Sequence, residues 1–154
     1  MPSPMQPPTS EPRPRVVDAA FWCFIGGAVV MVAGGLMAAT ASFEAARMAI
    51  PQAMSDERVH NYLTVYRLTG AGAAIAAAAL AFLAGKARRG DGRFRFATLG
   101  LAFALVAIVL LLAVGVGVGQ PLILLALLPI LVGAALLTRP AARGWFDRAA
   151  GAQR

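Results

Sequence analysis

Charge is what this chain has least of. Only 14% of its 154 residues are Asp, Glu, Lys or Arg, where a soluble domain of this length carries about a quarter. That is too little to cover a globular surface. With 59% hydrophobic residues and a mean hydropathy of +0.71, it excludes an ordinary soluble domain and points to an integral membrane protein. Cysteine is nearly absent as well. Cys23 alone makes no internal disulfide and no metal site, and inside an apolar run it reads as a small hydrophobe. His60 is the one histidine. Beside the flexible carboxylates Asp56 and Glu57 it reads as a solvated side chain rather than a pH sensor or metal ligand.

Catalytic patterns are missing too. There is no carboxylate pair, HExxH, CxxC, GxSxG or P-loop, and the glycine pairs lack the strand–turn–helix setting a nucleotide motif needs. The predicted spans are read as free of Asp, Glu, Lys, Arg and His, which argues against a proton relay, an ion-coupled transporter or an intramembrane protease. The expectation is therefore no enzyme activity, no cofactor and no metal.

What the chain does have is a net charge of +7 concentrated in short segments. Lys86, Arg88, Arg89, Arg93 and Arg95 crowd a loop at 86–95, between two long apolar runs. Such charge stays in water, and loops rich in Lys and Arg stay in the cytoplasm. These five residues set the topology. Attraction to anionic inner-leaflet lipid follows from the same groups. Nucleic acid is not an expected partner, because no aromatic–basic platform accompanies the charge.

Four spans follow, at about 16–39, 68–85, 96–118 and 121–138, making a transmembrane domain at 16–138. Residues 1–15 hold six of the ten prolines and read as a disordered cytoplasmic tail; the PxxP match there is a chance feature of proline-rich sequence. The first apolar stretch is too long for a signal-peptide core, so the Ala39-Thr40-Ala41 pattern is not read as a cleavage site. Residues 40–67 form an outer loop of balanced charge, and Ser42–Ile50 is expected to continue the first helix until Pro51 ends it. Ser55 or Asp56 caps the next helix. Gln120-Pro121 is a tight turn with Pro121 opening the fourth span, and Pro129 is a candidate kink. Residues 139–154 are a basic cytoplasmic tail in which Ala142, Trp145, Phe146 and Ala149 share one face of a surface helix. Basic residues number eleven in the cytoplasmic segments against three in the outer loop.

Small residues mark the packing faces. Gly27 with Gly34 or Gly35 shares one face of the first span, and Gly70, Ala74 and Ala78 share one face of the second. An ion pair between Glu44 and Arg67 is a weaker expectation, set against Arg67 simply snorkelling to the interface.

The stretch Arg15-Val16-Val17-Asp18-Ala19-Ala20-Phe21-Trp22 and the tail Arg139-Pro140-Ala141-Ala142-Arg143-Gly144-Trp145-Phe146 resemble small four-span inner-membrane proteins of actinobacteria. The likeness covers the layout of the whole chain and the residues of those two stretches. It implies an inner-membrane home and no activity.

The expected fold is all-α: a polytopic membrane protein, an antiparallel four-helix transmembrane bundle with both termini cytoplasmic. The leading function is a structural or accessory subunit. It would meet a membrane-protein partner or a second copy through the smooth faces of the first two helices and the Tyr62–Arg67 region. The alternative is a small-solute transporter or channel formed by oligomerisation. That reading requires a wet pocket at mid-depth lined by Thr, Gln or backbone carbonyls.

Overall fold

The computed structural model describes residues 13–51, 53–117 and 119–151. The expected tail disorder falls on residues that, apart from 13–15, lie outside that range. Every regular element among the described residues is helical: α1 (Arg15–Ala39), α2 (Phe43–Ala49), α3 (Asp56–Ala87), α4 (Gly92–Leu111), a π-helical turn (Leu112–Val116), α5 (Pro121–Thr138) and α6 (Pro140–Gly151). Four helices are long and apolar enough to cross a membrane: α1, α3, α4 with its π extension, and α5. At 1.5 Å per residue, the 18 residues of α5 span about 27 Å, close to a bilayer's hydrocarbon core. The 32 residues of α3 reach about 48 Å, so its polar first turns stand beyond the apolar zone.

The helix ends have local causes. Ser55 is the N-cap of α3 by backbone position, in extended conformation, with Asp56 and Glu57 in the first turn where the helix dipole favours negative charge. Pro121 occupies the start of α5, and the buried Gln120 side chain accepts a 2.8 Å hydrogen bond from the Ile123 amide. α5 then runs unbroken through Pro129. Two boundaries differ from the sequence expectation. The first helix does not continue into 42–50. It stops at Ala39, where the Thr40 hydroxyl donates back to the Leu36 carbonyl at 2.8 Å. Ser42 then caps a separate helix by accepting from the Ala45 amide at 3.2 Å. The third span's α-helix ends at Leu111 rather than near 118. Its last turn widens to π form and terminates at Gly117, whose φ of +69° is the left-handed conformation that glycine adopts without penalty.

α1 packs on α3 and on α5, and α4 packs on α3 and on α5, so each long helix has two neighbours. Pairs of close residues show that these neighbours run antiparallel. Gly35 meets Gly70 while Asp18 meets Arg88, and Gly34 meets Ile123 while Gly27 meets Ile130. The interior is built from Phe24, Met31, Leu80 and Ile130 with a lining of alanines. Outward, Trp22, Ile75, Phe82, Phe96, Phe103, Leu111 and Leu128 are exposed. A soluble monomer rarely shows a continuous apolar surface of that extent; hydrocarbon suits it.

Candidate functional site

The small residues singled out from the sequence form a seam rather than a single face. Gly34 and Gly35 are consecutive, so they point about 100° apart on the helix. Gly35 lies against α3: a methyl group on it would sit 2.5 Å from the Gly70 carbonyl oxygen and 3.0 Å from the Ala74 amide nitrogen. Gly70 reciprocates, its would-be methyl 2.6 Å from the Gly35 carbonyl oxygen. The two backbones therefore touch with nothing between them. Gly27 and Gly34 turn to α5 instead, against Ile130 and against Gln120 and Ile123. Gly27, Gly34, Gly35 and Gly70 therefore pack against helices of their own chain. Ala74 is half-buried against Gly35. Ala78 alone of the set is exposed. It lines an apolar groove of about 240 Å³ between α1 and α3 with Ile25, Val29, Val32 and Ala81.

At the end of the assembly bearing α2, Arg67 reaches across to the first helix. Its Nε and one terminal nitrogen both donate to the Ala41 carbonyl, the former at 2.8 Å. That carbonyl is free because α1 has ended two residues earlier. The structure does not bring Glu44 to Arg67. Glu44 lies on α2, and among the described residues the ion pairs are Arg13–Asp18, Arg47–Asp56 and Arg88–Asp18. The break at Thr40–Ala41 is the physical reason: it re-aims Glu44 and offers Arg67 a backbone acceptor. Nearby, Tyr62 and Tyr66 stack with ring centres 6.1 Å apart beside a hollow of about 490 Å³ under α2, lined mainly by Ile50, Met54, Leu63 and Gly119. The His60 ring is tilted against Phe43, with ring centres 6.1 Å apart. Among the described residues no group of His, Cys, Asp and Glu is placed to hold a metal ion.

At the opposite end the basic residues part company. Asp18, two residues inside the first predicted span, is the ionisable group that the sequence reading passed over. Its Oδ1 accepts from Arg88 Nε at 2.8 Å and from Arg13 at 3.2 Å. Arg88 also lies over the Phe21 ring at 4.6 Å. This ties the 86–95 segment to the start of α1. Lys86 lies over Phe82 at 5.7 Å. Arg89 and Arg93 are exposed. Arg95 is not a loop residue at all. It sits in the first turn of α4, 6% exposed, donates from Nε to the Leu137 carbonyl at 3.3 Å, and lies 5.4 and 5.5 Å from the ring centres of Phe96 and Phe146. The helix begins at Gly92 because Asp91 caps it, accepting from the Arg93 amide at 3.0 Å. α6 closes this end with Ala142 and Phe146 buried and Trp145 against Gly90.

Two small, partly open voids lie among the described residues. One touches Thr69 and Gln120 near the α2 end, the other Phe24 and Arg88; each measures about 10 Å³, room for about one water molecule. Neither is a mid-depth solute path. No family model matches the chain, and no curated protein and no solved structure matches it.

Proposed function

We propose that this is a multi-pass membrane protein, an antiparallel four-helix bundle with its basic end and both termini in the cytoplasm. It acts as a non-catalytic accessory subunit, packed against one helix of a second membrane protein. The observation that supports this is the contrast between two kinds of apolar surface. α4 and α5 present bulky Phe96, Phe103, Leu111, Leu125 and Leu128, which fluid lipid tails accommodate. The α1–α3 groove differs in having alanines at its floor, Ala28 and Ala77, and on its α3 side, Ala78 and Ala81, with Ile25, Val29 and Val32 on its α1 side. Small residues let a second backbone approach closely, and such packing drives helix association in lipid. The occupant is a helix, because alanines let a second backbone come close while Ile25, Val29 and Val32 offer stiff side chains for its ridge to pack on. A solute transporter has less support, since each of the two small voids has room for only about one water molecule.

A photo-crosslinking residue tests this. Placed at Ala78 in the full chain in its native membrane, it is expected to give a discrete protein adduct, while the same residue at Phe103 gives lipid adducts only. Adding Val29→Phe across the groove should abolish the adduct while leaving the chain's melting temperature unchanged. An adduct of twice the chain's mass would assign the occupant to a second copy. Lipid adducts at both positions would overturn the reading.

A further inference from the structure

Arg95 is a cation with no ion-pair partner among the described residues. It is 6% exposed, yet only Nε has a hydrogen-bond acceptor, the Leu137 carbonyl at 3.3 Å. A guanidinium offers five N–H donors in a planar fork. Among the described residues no carboxylate lies within ion-pairing distance of it. The charges that bear on it are Arg143, of like sign, and Asp147, both exposed on α6. Arg139 is exposed at the α5–α6 corner, two residues past the carbonyl that Arg95 holds. No fully buried side-chain nitrogen lacks a partner among the described residues, so the terminal nitrogens of Arg95, which have no acceptor, reach the surface of this end. Three arginines thus belong to the end of the bundle where α4 begins and α5 passes into α6. Phe96, exposed beside the Arg95 guanidinium, marks the boundary between the apolar belt and the polar end. α6 lies at the same level, its Ala142–Phe146 face buried, and Arg139 and Arg143 stay exposed beside it.

We propose that Arg95, Arg139 and Arg143 form a binding site for a phosphate group, supplied by the headgroup of an anionic phospholipid in the adjacent leaflet. Guanidinium forks match phosphate oxygens two at a time, which lysine cannot do. One phosphate between Arg95 and Arg143 would offset the like-charge repulsion and accept from the terminal N–H groups that reach the surface. The site rests on the membrane reading above, in which this end meets the cytoplasmic leaflet. It is more than general attraction of basic loops to anionic lipid, because it assigns one lipid to three named residues and leaves Arg89 out.

Native mass spectrometry of the full chain from neutral detergent, with phosphatidylglycerol or phosphatidylcholine of matched chains added, tests the assignment. One phosphatidylglycerol is expected to stay bound under activation that strips phosphatidylcholine. Arg143→Gln and Arg139→Gln each weaken that binding roughly fivefold, at about 1 kcal/mol per arginine, while Arg89→Gln, of equal net charge, leaves it unchanged. Arg143 and Arg139 are exposed, so these variants fold, and a melting curve confirms it; Arg95→Gln serves as the second variant. Retention of added inorganic phosphate on the same arginines would keep the site and assign it to a soluble phosphate. Equal weakening by Arg89→Gln and Arg143→Gln, or equal retention of the two lipids, overturns the site. Membrane fractionation of each variant is read separately, so failure of lipid binding is distinguishable from failure to insert.

Discussion

Gly35→Leu is expected to destabilise the folded chain by about 3 kcal/mol, at the upper end of what overpacking costs. The reason is what the new side chain meets. At Gly35 the nearest atoms are the Gly70 carbonyl oxygen and the Ala74 amide, both backbone, so no rotamer change makes room. The α1 and α3 helices must separate, and separation loses the close contact along the whole seam. Gly70→Leu should behave alike, since Ala38 and the Gly35 carbonyl confront it. Gly26 and Gly72 are internal controls. They lie on the same two helices with open space where a side chain would stand, so Gly26→Ala and Gly72→Ala should leave stability unchanged or raise it by up to about 1 kcal/mol through helix propensity. Denaturant titration in detergent, followed by circular dichroism, reads both signs. Equal losses at Gly35 and Gly26 would contradict the close approach of α1 and α3 at Gly35 and Gly70.

The second large effect is at Phe24. This ring is fully buried, packed on Gly133 of α5 with its edge 3.2 Å from where a methyl group there would stand. For a membrane-embedded chain much of the usual transfer benefit falls away, because lipid shelters the ring in the dissociated state as well. The cavity contribution survives. At about 24 cal/mol per Å³ of space left, Phe24→Ala loses roughly 2–3 kcal/mol. Phe103→Ala, on the exposed face of α4, loses little. The pair measured in the same detergent separates interior from lipid-facing positions; similar losses would contradict the packing.

How much of this the sequence carried varies by residue. Span positions were legible because apolar runs of that length have few other uses. Ser55 and Pro121 were legible because cap and first-turn positions restrict residue type. The break after Ala39 was not. Neither Gly nor Pro stands there, and the hydrogen bond from Thr40 to Leu36 and the Ser42 cap are made by residues that also occur inside helices. Spacing identified Gly27, Gly34, Gly35 and Gly70 as contact residues but not their partners. Which neighbour each glycine meets depends on how α3 and α5 are arranged about α1, and periodicity within one helix holds no information about that. Asp18 and Arg88 are 70 positions apart, and only the antiparallel pairing of α1 with α3 joins them. Arg95 read as one more loop charge because its burial is made by Leu137 and Phe146, from the far end of the chain. The Glu44–Arg67 pairing failed for a like reason: the acceptor Arg67 found is a carbonyl, and side-chain type does not reveal a freed backbone group.

Orientation and insertion are tested together by labelling single cysteines, in a Cys23→Ala background, with a membrane-impermeant maleimide in sealed right-side-out vesicles. Ala53→Cys, exposed beyond α2, is expected to label at once. Arg89→Cys, exposed at the basic end, should label only after the vesicles are opened. Labelling of Arg89→Cys in sealed vesicles would contradict the account, as would recovery of the chain in the soluble fraction without detergent.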